Sequence, residues 1–357
     1  MDSLSQFNKL KQWLNIKDNI KLFNRPQRGI YSTNDIKKNQ IIIKIKSKYL
    51  LEYNTIYKLY PIDNIAERNS LVAFYILKLY LEKDSWWFPY IESFPENIDE
   101  YLYYWSNNQL KFLNNTSVMA NGFYNHYSHI ESMDNDWSII YDYIEANEIF
   151  DKKYTYDYLY DLFIKFRILV GSRIFGYEKY DIDESGMIPY IDMINHSFNS
   201  NTTWYFDNNT NCFILQAVND IMRGIEIVDD YGDKSNVNLL LFYGFTLSDN
   251  PYPVLRININ KLLNDTNSDN LEQTYESDQT YETDQTYETD QTYELSLNFD
   301  LTEIINKINI DKLNTKLDEI KKHHTIFLDK ITDSNILNIY LDELKIIKIL
   351  EKKLRSQ

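Results

Sequence analysis

Pro189-Tyr-Ile-Asp-Met-Ile-Asn-His-Ser197 is followed, after a strand-rich interval, by Asp230-Tyr-Gly-Asp-Lys-Ser-Asn236, which runs into Leu239-Leu-Leu-Phe-Tyr-Gly-Phe245. Each segment sets hydrogen-bonding residues hard against apolar ones, which points to the wall of a cofactor pocket rather than to an ordinary turn. Between them, Trp204 to Val218 reads as a hairpin, with Asp207 to Asn211 as its turn and strand-forming residues on both sides. Upstream, apolar residues recur at three- and four-residue intervals from Ile65 to about Lys83 and from about Tyr154 to Phe175, which is the helical pattern. Earlier still, β-branched residues flank the polar run around Asn34, Asp35 and Lys37 to Gln40, predicting two short strands over Arg28 to Ile45, with Ile41-Ile-Ile-Lys-Ile45 a buried one. The first residues, Met1 to Leu14, carry apolar side chains at helical spacing and predict an amphipathic helix.

Beyond Pro253 the character changes. Leu295 to Arg355 is rich in Leu, Ile, Lys, Glu and Asp at helical spacing and predicts a separate helical unit. Within the join, Gln273 to Glu294 repeats the hexad Gln-Thr-Tyr-Glu-Ser/Thr-Asp, too short and too acidic for a solenoid unit, so a disordered loop is expected over 271–294. That tract matters to the charge. It holds eight acidic residues and no basic ones, so half of the net −16 resides in it. An acidic chain is ill suited to bind nucleic acid and suits a basic, Lys-rich protein partner. Cys212 is the only cysteine, so a disulfide framework or cysteine-rich zinc cluster within the chain is excluded, and a reducing compartment, cytoplasm or nucleus, is expected. No apolar run is long enough to span a membrane as a helix. A monomer is expected. The 31 Tyr devalue any single tyrosine unless a motif supports it.

The order of landmarks carries the identification. Arg28-Gly-Ile30 with Asn34-Asp-Ile36 comes first, then Trp86-Trp-Phe-Pro-Tyr-Ile-Glu-Ser-Phe-Pro95, then Trp105-Ser-Asn-Asn-Gln-Leu110 and Leu113-Asn-Asn-Thr116. Ser172-Arg-Ile-Phe175, Pro189 to Ser197 and Tyr231 to Phe245 complete the series. In this order the segments resemble the Rubisco large-subunit methyltransferase-like SET family, from about Phe7 to Arg355. The resemblance implies an α+β fold: a β-rich SET domain over 21–248, split by a helical insertion at about 71–185, after an N-terminal helix in 1–20. An all-α substrate-binding domain over 249–357 follows, interrupted by the acidic repeat.

The resemblance also implies a chemistry, methyl transfer from S-adenosyl-L-methionine to a protein side chain, with no metal. By the same resemblance Asn195 and His196 contact the cofactor, and Arg28, Gly29, Ser172, Arg173, Phe175 and Asp192 match other positions of its pocket, Arg173 as a partner for its carboxylate. Tyr231 matches the catalytic tyrosine, which also borders the cofactor, while Tyr243 and Ile191 match positions that face the substrate. A narrow aromatic channel favours the neutral amine that the displacement requires. The family's histidine-directed branch has Asn at the position of Phe175 and Trp at that of Ile191, so the apolar residues here favour lysine. Two readings compete: an actin-type histidine methyltransferase, and a catalytically silent SET-fold binding protein. The second would not need Tyr231 with Asn195 and His196. One departure stands out: the family's Gly-x-Gly on the first strand is here Gln27-Arg28-Gly29. His323 and His324, adjacent in sequence, read as surface residues, and His126 and His129 share a helical face with no cysteine or carboxylate pair to complete a site.

Overall fold

The computed structural model describes residues 3–16, 20–23, 28–120, 125–258, 292–296, 309–328 and 330–355. The chain forms two compact units, one from Met1–Ile98 with Glu131–Asp233, the other from Asp99–Ile130 with Lys234–Gln357. The second unit therefore takes in a stretch of the expected helical insertion and begins ahead of residue 249.

In the first unit, helix α1 (Ser3–Leu14) buries Phe7, Leu10 and Leu14, the single apolar stripe that the spacing predicts. Strands β1 (Ile20–Phe23) and β2 (Gly29–Ser32) pair antiparallel. The polar run after β2 does not make a hairpin with β3 (Ile41–Lys46). Strand β3 pairs instead with a later strand, and Ile41 is exposed while Ile42, Ile43 and Ile45 are buried. After β4 (Leu51–Glu52) and α2 (Tyr53–Leu59), helix α3 (Arg68–Leu81) is buried on nearly every side. Its start is fixed by the buried Asp136, whose carboxylate accepts from the N–H groups of Ala66 and Glu67 and from the Ser70 hydroxyl. The short α4 (Phe88–Ile91) comes from the Trp-Trp-Phe-Pro-Tyr-Ile segment. In the second unit lies α5 (Asn107–Leu110), closed by a capping box between Ser106 and Gln109.

Helix α6 (His126–Ala146) precedes α7 (Tyr156–Gly171), whose buried face from Leu159 to Val170 packs on α3. Strands β5 (Ile174–Lys179) and β6 (Ile182–Met187) form a three-stranded sheet with β4. Phe175, expected near the end of a helix, stands on β5. Strand β7 is the two residues Asn195–His196. The predicted hairpin is β8 (Thr202–Asp207) with β9 (Cys212–Ala217), in the sheet order β3-β9-β8. Strand β10 (Glu226–Asp229) lies between β2 and β7 in a four-stranded sheet, and its pairing with β7 is parallel.

Among its described residues the second unit is helical with one ladder. Helix α8 (Asn236–Tyr243) starts under the Ser235 side chain, which accepts from the Asn238 N–H, and ends at Gly244 in a left-handed conformation. Any side chain at Gly244 would also meet Glu100. Strands β11 (Leu255–Asn258) and β12 (Thr292–Leu295) pair antiparallel. This corrects the end of the acidic repeat: Thr292, Tyr293 and Glu294 are in a strand, where a β-branched and an aromatic residue next to Leu295 favour pairing. Residues 271–291 of the tract lie outside the described residues.

The last helices, Ile310–Leu328 and Ser334–Arg355, bury Leu313, Leu317 and Ile320 on the first and Ile346, Ile347 and Leu350 on the second in one cluster with Leu255, Ile257 and Leu295. The surface reading of the adjacent histidines is corrected here for His324, which has no exposed area. It continues the stripe Leu313, Leu317, Ile320 at helical spacing, so it must point inward. Its ring stacks on Tyr340 at 4.0 Å and its Nε2 lies 2.8 Å from Glu343, also fully buried.

Candidate active site

The two segments quoted first meet in the first unit. The parallel pairing sets Asn195 opposite Val228 and His196 opposite Asp229. Because β7 is only two residues long, side chains finish the edge of β10. Asn201 accepts from the Val228 N–H at 3.0 Å and donates to the Glu226 carbonyl at 2.7 Å, and the Thr202 hydroxyl donates to the Val228 carbonyl.

Beyond the strand, the N–H of Tyr231 donates to His196 Nδ1 at 3.1 Å. A ring nitrogen that accepts carries no proton, so the neutral His196 holds its proton on Nε2. The Tyr231 hydroxyl donates to the carbonyl of Ile194, and the His196 and Tyr231 rings lie 5.0 Å apart. Tyr231 is thus tied at both ends to the Asn-His segment.

Asn195 is tied to β2. Its Nδ2 donates to the Arg28 carbonyl and to Glu226 Oε1, both at 2.8 Å. Glu226 runs across Gly29, where an added Cβ would lie 2.3 Å from its Oε1. A side chain at 29 would therefore displace the Glu226 carboxylate from Asn195. Gln27, which replaces the family's first glycine, lies outside the described residues.

A charged group flanks this frame. Arg173 Nη1 donates to the main-chain carbonyl of Asp192 at 2.9 Å, and the buried Asp192 carboxylate accepts from the Tyr90 hydroxyl. Its other oxygen, Oδ1, is buried and makes no hydrogen bond among the described residues. Burial raises the Asp192 pKa above the usual carboxylate range, opposed by the charge of Arg173, the Tyr90 hydrogen bond, Arg28 and the main-chain N–H of Tyr190. Arg28 is pushed down to about 10 by burial and by the like charge of Arg173, with Asp192 pulling the other way. Arg28 and Arg173 thus both act on the Asp192 carboxylate.

Asp192 lies in the single-turn helix Ile191–Met193, which follows Tyr190, a fully buried tyrosine at φ +79°. A bulky residue held at positive φ is strained, and here Phe7 of α1 packs on its ring at 4.7 Å.

Other candidates fall as follows. Ser172 closes α7, and its hydroxyl turns back to the Leu169 carbonyl. Phe175 meets Trp204 edge to face at 5.2 Å. Ile191 is buried in the turn. Tyr243 belongs to the second unit, at the end of α8, where burial and Tyr101 push its hydroxyl up to about 12, so it stays a neutral phenol. Residues that sequence reasoning did not single out for the site are Tyr90, Glu226, Trp204 and Asp229. Tyr90 lay inside a quoted motif, whereas Glu226 carried no signal beyond its strand.

The residues 27–232 match the SET domain family model, and the chain belongs to the SET-domain family. Over 237 residues it is 28% identical to a ribosomal lysine N-methyltransferase of Schizosaccharomyces pombe, covering 63% of this chain and 41% of that protein. It is 24% identical over 246 residues to the human actin-histidine N-methyltransferase, covering 65% and 40%. The matches thus span about two fifths of these relatives' length. Among solved structures, Rubisco LSMT bound to AdoMet superposes with a TM-score of 0.65 at 15% identity, over 99% of this chain and 92% of that one. The SET domain of LSMT bound to lysine and AdoHcy gives 0.61 at 14% identity, over the same 99% and 92%. The expected fold, a SET domain with helices and a helical C-terminal region, is the observed one.

Proposed function

We propose that this protein is an S-adenosyl-L-methionine-dependent protein methyltransferase whose acceptor is the ε-amine of a lysine. The observation that carries the reading is the closure of Asn195-His196 on Asp229 to Tyr231: a parallel pairing, a main-chain bond into the imidazole and a tyrosine hydroxyl anchored on Ile194. The residues fit the cofactor. The guanidiniums of Arg28 and Arg173 suit an amino-acid carboxylate, and the buried Asp192 Oδ1 can accept a hydrogen bond. The Asn195 and His196 backbone, fixed on both sides, would line the pocket. When bound, S-adenosyl-L-methionine supplies an electrophilic methyl group on a sulfonium.

The chain's own residues do the rest. With its proton on the Ile194 carbonyl, the Tyr231 oxygen meets a further partner as an acceptor, which orients an amine N–H and favours developing positive charge. Phe175, partly exposed, offers apolar surface, which penalises an ammonium and favours the free amine that must attack, while Ile191 is apolar and buried in its turn. Their apolar character also supports lysine over histidine, and the relatives of both kinds make that choice the point to test. The helical C-terminal part, with Tyr243, would dock the protein substrate.

Incubation with methyl-labelled cofactor and a whole-cell protein extract, followed by acid hydrolysis, tests the reading. Label in methyl-lysine is expected. Label in methyl-histidine would transfer the assignment to the actin-type reading, and cofactor binding without label would favour the silent one.

A further inference from the structure

Phe175 is held from behind. Its ring meets Trp204 at 5.2 Å and Phe213 at 5.6 Å, both edge to face, while Trp204 stacks on Phe213 at 5.5 Å. Phe213 is fully buried, and Trp204 and Phe175 are partly exposed, so the trio reaches from the core toward the surface. Each ring limits the rotamers of the other two.

Trp204 has one polar atom, and it is committed: Nε1 donates to Asp229 Oδ2 at 2.9 Å. Asp229 is buried, stands on β10 in register with His196, and accepts the Ser197 N–H on its main-chain carbonyl. Tyr231 follows two residues later. A continuous set of contacts therefore runs from the Phe175 ring to the segment that carries Tyr231.

Plain core packing does not account for this carboxyl group. Burial pushes Asp229 up to about 6, the mark of a group that destabilises the fold when ionised, and an apolar residue would fill the same space without that penalty. What the carboxylate adds is direction, since it fixes the indole in one orientation.

We propose that Trp204 and Asp229 are positioning residues for the methyl acceptor, locking the Phe175 ring at one end of the pocket and tying it through β10 to Tyr231 at the other. The inference rests on the methyltransferase reading given above. A loosened ring lets the acceptor nitrogen drift from the line of displacement, which slows transfer far more than it weakens cofactor binding, even though Phe175 also matches a cofactor-pocket position.

The test uses the full chain with labelled S-adenosyl-L-methionine and a heat-inactivated whole-cell protein extract, counting methyl-lysine after hydrolysis, with cofactor affinity measured by calorimetry alongside. Trp204→Phe keeps a ring and removes the N–H, Asp229→Leu removes the acceptor, and Asp229→Asn keeps an acceptor oxygen. Trp204→Phe and Asp229→Leu are each expected to cut lysine labelling about tenfold or more with cofactor affinity within about twofold of the parent, and their double variant is expected to be no worse than either. Asp229→Asn is expected to recover most of the labelling, a rescue that loss of packing alone would not give. Full labelling in both single variants would overturn the proposal, as would a fall in cofactor affinity that tracks the loss of label. A parent protein that binds the cofactor and labels nothing would overturn the methyltransferase reading, and the positioning role with it.

Discussion

Each unit buries polar groups, but they are arranged differently. In the second unit one set closes on itself around His324, although the neighbouring His323 keeps a buried Nε2 with no hydrogen bond among the described residues: His324 meets Glu343, whose other oxygen accepts the Ser117 N–H, and Tyr340 stacks on His324 while its hydroxyl donates to the Phe112 carbonyl. In the first unit one set closes likewise, Asp136 with Ser70 and the N–H groups of Ala66 and Glu67, but another converges on the Asn-His segment, where Arg28 and Arg173 flank Asp192 and its buried Oδ1 makes no hydrogen bond among the described residues. A closed network specifies how helices pack. An incomplete one leaves groups that a ligand can satisfy. On the function proposed above, the closed sets serve structure and the incomplete one serves chemistry, and that contrast can be broken experimentally.

The largest effect is expected in the closed network. His324→Ala strands the Glu343 carboxylate in a dry interior and should destabilise the protein by about 3–5 kcal/mol, read from chemical denaturation. A change under about 1 kcal/mol would show that the pair is not structural. Tyr231→Phe should do the reverse, keeping stability and cofactor affinity while turnover falls about a hundredfold, near 3 kcal/mol of transition-state stabilisation. Undiminished turnover would remove the hydroxyl from the mechanism.

Asp229→Asn should raise stability. The folded-state pKa of Asp229 lies above its ordinary 3.8, at about 6, so the native state binds the proton more tightly than the unfolded chain. Stability attached to this group is therefore greatest below the lower value and is lost as the pH rises through the window from 3.8 to about 6. The substitution should gain about 2 kcal/mol at pH 7 and close to nothing near pH 3, measured by denaturation at both. An equal gain at both pH values would contradict the burial of an ionised carboxylate. Gly29→Ala should have the smallest effect, about 1 kcal/mol, because Glu226 can swing aside at the expense of its bond from Asn195. Its signature is weaker cofactor binding rather than unfolding, and unchanged affinity would detach Gly29 from the pocket.

The site was legible where the chemistry is local. Asn195, His196 and Tyr231 sit in short segments that set polar residues against apolar ones, and the structure brings them together. What joins them to their surroundings was not legible. Tyr90 reaches Asp192 across 102 residues, and Glu226 reaches Asn195 from another strand, and such pairs leave no trace in a single sequence. His324 was misread for a different reason: the adjacent histidines were judged as a pair, whereas the stripe of Leu313, Leu317 and Ile320 already pointed one of them inward. The strand at Thr292–Leu295 was hidden by the acidic repeat, whose composition outweighed the local pattern of its last residues. The hairpin of β8 and β9 and the long helices α3 and α7 were readable because period and turn chemistry agreed over many residues.

The central claim is that the convergent polar groups of the first unit form a pocket for a sulfonium cofactor. Calorimetric titration of the purified protein with S-adenosyl-L-methionine tests it most directly, because no acceptor is needed. The account predicts one site with micromolar affinity, roughly −8 kcal/mol. A folded protein that releases no heat up to millimolar cofactor would contradict it.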